Sequence, residues 1–341
     1  MQESVALRIE GLRKSYRVGL RRRIEVLRGL SLRVERGEVY GLLGRNGAGK
    51  STTFRILMGL GRHEAGSVRL LGERPGTRGV RLRVGYCPEN PQFPPGLTVL
   101  EVLRFHRSLV GERVHSPRTR IDWLLEEFHL DEYRRRPVRA LSRGTIQRLA
   151  LASALMARPE LLILDEPLTA LDPLARHRVN EILLEQKRQG ASMIIASHIL
   201  GELESVSDRL GVLSGGVIQR EIDLRAEAAE AVRALEIRVP GESEAGIRAL
   251  DPDLAGVTEG QAVCYRELAF DQAQDLLRRW SAAGIPILSM GPSRRTMEAE
   301  ILALIDQPDA APPPPEDQPA APWPATRPAP DVRPAPEKET V

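Results

Sequence analysis

The sequence comprises 341 residues, of which 42% are hydrophobic and 28% charged, with a formal net charge of +3. This length predicts about two domains, and no apolar run approaches the roughly 18 residues of a membrane-spanning helix. The first residues lack the features of a secretory signal. Cys87 and Cys264 are too far apart for CxxC spacing, which excludes a disulfide framework and a structural zinc site. We therefore expect a cytoplasmic protein.

The first strong motif in the chain follows the apolar run Val39–Leu43, which predicts a buried strand. The next residues fit the pattern GxxxxGK followed by Ser or Thr, and they are Gly44, Arg45, Asn46, Gly47, Ala48, Gly49, Lys50 and Ser51. Glycines allow backbone N–H groups to surround a phosphate, and the N-terminus of the following helix adds its dipole. Lys50 would contact the β- and γ-phosphates, and the Ser51 hydroxyl would bind Mg²⁺.

Two weaker motifs lie further along the chain. Ser142 and Gly144 stand at a predicted helix start, which can bind an anion, although Ser is also a common N-cap. The apolar residues 161–164 predict a strand that ends in Asp165 and Glu166. Asp165 is suited to hold Mg²⁺ through water, and Glu166 to polarise an attacking water. Alone this acidic pair would indicate only a solvated strand end, but beside a phosphate-binding loop it predicts a hydrolytic site.

The spacing of apolar residues predicts two folded units and a tail. Buried strands separated by helices, up to residue 224, predict a parallel sheet covered on both faces. Residues 225–305 predict a small α+β domain of order βαββαβ, with a helix over 271–283 and a closing helix at 294–305. Residues 307–341 contain 12 of the 26 prolines, so that a Pro/Ala-rich disordered tail is expected over 306–341, either solvated or serving as a docking peptide.

In order and spacing, these motifs resemble those of the ATP-binding subunits of ABC transporters, over about residues 5–220. Residues 44–51 resemble the Walker A motif, residues 161–166 Walker B and residues 141–145 the LSGGQ signature. Residues 169–172 resemble the D-loop, and His198 after Ser197 resembles the switch histidine. The resemblance implies an α/β P-loop NTPase cassette over residues 1–224, with a RecA-like core and antiparallel β and helical subdomains.

The resemblance also implies an ATPase whose ATP and Mg²⁺ lie between two cassettes. One cassette would bind ATP with Gly44, Arg45, Asn46, Gly47, Ala48, Gly49, Lys50, Ser51 and Thr52, and the other with Ser142, Gly144 and the D-loop residue Asp172. Tyr16 is placed to stack on adenine, although an aromatic residue near a strand end is often part of the core. Glu166 and His198 would be catalytic, and Ser51 and Asp165 would hold the metal.

The sequence departs from the family pattern at two places. Glu89 stands where the family has the Q-loop glutamine, and we assign it to the metal site, where its charge would strengthen Mg²⁺ binding or raise a neighbouring pKa. Arg143 and Thr145 replace a glycine and the final glutamine of the signature. Because Ser142 and Gly144 remain, we expect activity to survive.

Two functions follow from the resemblance. The first is an energy-coupling subunit that dimerises and drives a separate integral-membrane permease, which it would contact through residues 92–139. Such a subunit would lie on the inner face of the cell membrane. The signature and the C-terminal domain resemble those of exporters of the ABC-2 type. The alternative is a soluble ABC ATPase acting on nucleic acid or the ribosome, because residues 1–305 carry a net charge of +7. Only four of the 49 basic residues are lysine, which indicates codon bias. Asp165 follows Lys50 by 115 positions, which leaves no room for the long coiled coils of repair ATPases. Direct nucleic-acid binding is therefore not expected, and the C-terminal domain is either a packing module or a regulatory one.

Overall fold

The computed structural model describes residues 4–18, 22–110, 117–226 and 235–292. The predicted closing helix at 294–305 and the predicted tail at 306–341 lie outside the described residues. No helix within the described ranges has both the length and the apolar character needed to cross a membrane.

A six-stranded sheet forms the centre of the larger unit. Its strands are β3 (Val39–Leu43), β5 (Val84–Cys87), β6 (Leu161–Asp165), β7 (Ser192–Ser197), β8 (Arg209–Ser214) and β9 (Val217–Asp223). They are ordered β5-β6-β7-β3-β8-β9, and all neighbours are parallel except β8 and β9. The predicted parallel sheet is therefore confirmed, with an antiparallel strand added at one edge.

The central strands are buried on both faces, which explains their continuous apolar sequences. In β6, Leu161 and Ile163 pack into one hydrophobic cluster while Leu162 and Leu164 pack into another. The first cluster is closed by α1 (Lys50–Leu57) and by an antiparallel sheet of order β2-β1-β4. That sheet consists of β1 (Val5–Val18), β2 (Arg22–Glu35) and β4 (Ala65–Leu70).

Helices cover the other face of the central sheet. They are α3 (Val99–Val110), α4 (Pro117–Glu127), α5 (Arg143–Ala154) and α6 (Pro173–Arg188), while the short helices α2 (Arg78–Arg83) and α7 (Leu200–Glu204) lie in connections. Each of the four contributes apolar side chains to the second cluster, which is the larger of the two. The antiparallel sheet corresponds to the β subdomain expected from the resemblance, and α3 and α4, which lie within residues 92–139, correspond to the helical one.

Residues 235–292 form a second unit with its own core. Its elements are β10 (Leu235–Pro240), α8 (Glu244–Leu250), β11 (Val257–Glu259), β12 (Ala262–Leu268), α9 (Phe270–Ala282) and β13 (Ser289–Pro292). The antiparallel sheet has the order β11-β12-β10-β13, which is the split βαβ, or ferredoxin-like, arrangement. The predicted βαββαβ order is confirmed, but the last strand begins at Ser289 rather than near Ile285, because Pro286 has no N–H to donate to the sheet.

Candidate functional site

The phosphate-binding loop connects the end of β3 to the start of α1. Gly49 has φ +112°, and a Cβ atom added there would lie 2.7 Å from Leu27 Cδ2; one added at Gly44 would lie 2.6 Å from the Leu213 carbonyl oxygen. No side chain caps the N-terminus of α1, so its first N–H groups remain available to phosphate oxygens. The loop can adopt this path only with glycine at those two positions.

Lys50 crosses this loop. Its Nζ donates to the Gly44 carbonyl oxygen at 2.7 Å and forms an ion pair with Glu166 Oε1 at 3.2 Å. The residue is only 5% exposed, so its ammonium group acts in a medium of lower dielectric than water. Ser51 follows on α1 and forms a side-chain hydrogen bond with Asp165.

Asp165 ends β6 beside this loop. Burial raises its pKa to about 6, the charges of Glu89 and Glu166 add to the increase, and the Ser51 hydrogen bond and Lys50 oppose it. Its Oδ1 atom is buried without a hydrogen-bond partner in the part of the chain that the structure describes. A hydroxyl and a carboxylate oxygen with free lone pairs are ligands that suit a hard cation such as Mg²⁺, which takes its other ligands from water and phosphate.

Glu166 has a strained backbone, with φ +47°, which is uncommon for a residue other than glycine. Its N–H donates to the Ala196 carbonyl oxygen at 2.9 Å, which holds it against β7. Its Oε2 lies 2.9 Å from His198 Nδ1 and 3.5 Å from Ser197 Oγ. Glu166 is therefore buried between Lys50 on one side and His198 on the other.

Parallel register explains why these groups meet. Leu43 of β3 lies beside Ser197 of β7, and Asp165 of β6 lies beside Ala196. The carboxyl ends of the three strands therefore reach the same edge of the sheet, which is where ligands of open α/β sheets bind.

The predicted signature residues begin α5, and the Ser142 side chain forms its N-cap. Its Oγ accepts a hydrogen bond from the Thr145 N–H at 3.2 Å and lies 2.8 Å from Thr145 Oγ1. Thr145 is buried, so the residue that replaces the expected glutamine secures the cap. A Cβ atom on Gly144 would lie 2.8 Å from the Ala170 carbonyl oxygen, which places the signature beside the predicted D-loop of the same chain.

Of three further predicted residues, Glu89 interacts with this site through its charge. Asp172 caps α6 by accepting from the Ala175 N–H at 2.9 Å. Tyr16 lies on β1, half-buried against the core, with Lys14 Nζ 5.1 Å from its ring centroid. Glu89 is exposed after β5, and its charge contributes to the raised pKa of Asp165, as expected from the sequence.

Gln147 was missed by the sequence reasoning. It is 3% exposed on α5, and its Nε2 donates to the Pro167 carbonyl oxygen at 3.2 Å and to Cys87 Sγ at 3.7 Å. The side chain thus links the signature helix to the end of β5 and to the turn after Glu166. The only signal in the sequence is an amide between apolar positions of a helix, which is too common to be diagnostic.

Comparison with known proteins finds similarity to ATP-binding proteins of ABC transporters. Residues 27–169 match the family model described as ABC transporter. An uncharacterized ABC transporter ATP-binding protein of Synechocystis sp. is 35% identical over 289 residues, which cover 84% of this chain and 80% of that protein. A Nod factor export ATP-binding protein I of Ralstonia nicotianae is 40% identical over 62% of this chain, and the match spans 64% of that protein.

Solved structures agree with these sequence matches. A structure of an ATP binding subunit of an ABC transporter has a TM-score of 0.60 and 32% identity, and the match covers 66% of this chain and 92% of that one. An ATP-binding cassette solved as a dimer in a post-hydrolysis state, bound to ADP and Pi, has a TM-score of 0.59, with 64% of this chain and 99% of that one covered. At 24% identity, this second likeness concerns the fold alone.

Proposed function

Because this chain belongs to the ABC transporter family of ATP-binding proteins, we propose that it hydrolyses ATP and drives a separate membrane permease. The observation that carries this proposal is the meeting of Lys50, Glu166 and His198 at one edge of the sheet. The N-terminus of α1, the carboxylates of Asp165 and Glu166, and the His198 side chain would surround the bound phosphates, as hydrolysis of a phosphoanhydride requires.

The phosphate loop would bind the polyphosphate. The backbone N–H groups of residues 44–52 and the Lys50 ammonium would contact the β- and γ-phosphates, with Tyr16 against the adenine. Ser51 and Asp165 would hold Mg²⁺, with Glu89 nearby, and the metal would neutralise charge that develops on the phosphates. The buried Oδ1 of Asp165, which has no partner among the described residues, supports this assignment.

Glu166 is the group that we propose as general base. Its carboxylate would accept a proton from the attacking water, and its position is held by the Ala196 carbonyl oxygen and by His198. His198 remains exposed on its outer side, with 45% of its side chain accessible, so it is placed to contact the γ-phosphate as well.

A complete site needs a second cassette. Ser142 and Asp172 are exposed, and we propose that they and Gly144 contact ATP held by the phosphate loop of a partner subunit, in a homodimer. The Nod factor export relative favours an export role for this chain, and we propose the ABC-2 type from the signature and the C-terminal domain. With a permease as partner, the protein would lie at the inner face of the cell membrane.

The decisive experiment is to measure ATP hydrolysis by the purified protein with Mg²⁺, alone and with its permease. In E166Q, loss of the base should lower kcat by roughly 10²- to 10⁴-fold while ATP still binds. E242Q, a matched change at an exposed glutamate of the C-terminal unit, should keep the wild-type rate. Wild-type turnover in E166Q would exclude Glu166 as the base, and absence of any hydrolysis by the wild type would exclude the ATPase.

A further inference from the structure

A cleft of about 960 Å³ lies apart from the nucleotide site, between α4, the turn after α5 and the second half of α6. Ile182 and Gln186 of α6 contribute buried lining, and Arg120, Trp123 and Arg158 line it from the other elements. Its volume falls within the range of small-molecule sites, roughly 300–1,000 Å³. The cleft is therefore large enough for a small organic ligand.

Arg120 is a buried cation in this cleft. It is 8% exposed, and its guanidinium carbon lies 4.3 Å from the centroid of the Trp123 ring. One Nη2 hydrogen bond reaches the Leu155 carbonyl oxygen, at the end of α5. Its Nε is buried without a hydrogen-bond partner in the described ranges, which is costly for a charged group. The guanidinium is thus held against Trp123 and the end of α5, and its enclosed Nε lacks a partner among the described residues.

The acidic residues of the cleft do not neutralise this cation. Glu127 and Glu181 both pair with Arg178, at 2.6 Å and 2.9 Å, and Glu185 pairs with Arg188 at 3.1 Å. Within residues 4–18, 22–110, 117–226 and 235–292, no carboxylate forms an ion pair with Arg120 or Arg158.

Arg158 adds a second positive charge beside the first. It is exposed in the turn after α5, and its backbone is left-handed, with φ +48°. Burial, and secondarily the charge of Arg158, lowers the pKa of Arg120 to about 10, so the Arg120 guanidinium remains charged at neutral pH. Two like charges held together without a counter-ion favour a bound dianion.

We propose that this end of the cleft binds a phosphate group, either free or carried by a small molecule. Guanidinium groups match the oxygens of phosphate in geometry, and two of them can satisfy a dianion from two sides. The phosphate would accept hydrogen bonds from the guanidinium groups of Arg120 and Arg158, and any organic part would extend along Ile182 and Gln186. The site is distinct from the Walker A loop and uses none of its residues.

The test is calorimetric titration of full-length protein with inorganic phosphate and with glycerol 3-phosphate. The K50A background removes the phosphate loop as a competing site. There, R158Q should weaken binding at least tenfold, which corresponds to about 1.4 kcal/mol. R69Q, which removes an exposed arginine on β4, should leave the affinity unchanged. R158Q is the chosen variant because Arg158 is exposed. A change at Arg120 would also remove the hydrogen bond to the Leu155 carbonyl oxygen and could affect folding.

Each outcome decides the question. Equal affinity for the two probes would assign the site to free phosphate, and tighter binding of glycerol 3-phosphate would assign it to a phosphorylated metabolite. No binding of either probe in K50A, or an equal loss of affinity in R158Q and R69Q, would overturn the proposal. If K50A does not fold, the same comparison is made in wild-type protein saturated with a non-hydrolysable ATP analogue.

Discussion

Backbone conformation at single residues determines much of this nucleotide site. Gly49 and Glu166 both have positive φ, at +112° and +47°, but only Gly49 avoids the steric cost. At Glu166 the strain is held by the hydrogen bond to Ala196 and by the contacts with Lys50 and His198. Strain of this kind is concentrated at functional residues, because the surrounding structure must compensate for it.

Substitution of Gly49 by alanine should disrupt the phosphate loop. The new Cβ would meet Leu27 Cδ2 at 2.7 Å and would force a left-handed backbone on a residue that disfavours it. We expect the free energy of unfolding to fall by about 2 kcal/mol and nucleotide affinity to be lost. Urea unfolding and binding of a fluorescent ATP analogue measure the two effects.

The matched control is G96A, because Gly96 has an ordinary φ and nothing lies within 4 Å of an added Cβ. It should leave both stability and ATP binding near the wild type. Normal nucleotide affinity in G49A would mean that the loop does not need this backbone conformation.

At the scale of secondary-structure elements, ion pairs join the strands at the edge opposite to the nucleotide site. Glu160, just before β6, accepts from Arg83 Nε at 2.7 Å and from Arg36 Nη1 at 2.9 Å. The hydrogen bonds from Arg83 are the largest cause that lowers the pKa of Glu160 from its ordinary value of 4.5 to about 2. Burial opposes this decrease, and the Arg36 hydrogen bond and the charges of both arginines add to it. The carboxylate therefore connects β6 to the end of α2 and to the turn after β2.

This arrangement predicts a pH-dependent contribution to stability. A carboxylate whose pKa is lower in the folded state stabilises the protein above its ordinary pKa, and the contribution is lost as pH falls from 4.5 towards 2. E160Q should thus be less stable than wild type at pH 7, and the difference should shrink over that window. Because 41% of the Glu160 side chain is exposed, we expect a modest effect.

Urea unfolding of wild type and E160Q at pH 7 and pH 3 measures this contribution. E126Q, at an exposed glutamate of α4, serves as control and should show no such pH dependence. A difference between E160Q and wild type that stays constant over the two pH values would contradict the role of the Arg83 and Arg36 contacts.

At the scale of the whole molecule, the division of the core into separate hydrophobic clusters supports the domain boundary that we predict near residue 224. The buried residues of the C-terminal core, among them Ile237, Tyr265 and Trp280, belong to a different cluster from those of the cassette. A unit with its own core can in principle fold alone. The domain boundary remains a prediction that truncation can test.

A chain that ends at residue 224 should stay folded and bind ATP with the affinity of the full-length protein. The loss of Arg225 removes its ion pair with Asp208, but Lys187 still pairs with Asp208 at 2.7 Å. Circular dichroism and nucleotide titration measure both properties. W280A in the full-length chain is the companion variant, since it should unfold only the C-terminal unit. Loss of ATP binding in either variant would show that the two units depend on each other.

The sequence alone determined those features that depend on local pattern. The phosphate loop, the strand that ends in Asp165 and Glu166, and the order βαββαβ are all encoded by residues close together in the chain. Glycine, charge and apolar spacing are sufficient there, because the physical requirement of each motif lies within one loop or one element.

Only the tertiary structure decided which distant residues meet. The link from Gln147 to Cys87 spans 60 residues, and the contact from Arg120 to the end of α5 spans 35. Neither side chain stands in a diagnostic motif, and the order β5-β6-β7-β3-β8-β9 cannot be obtained from the sequence of the strands along the chain. Such contacts are set by the packing of whole elements, in which each buried polar group must find its partner wherever the fold brings one.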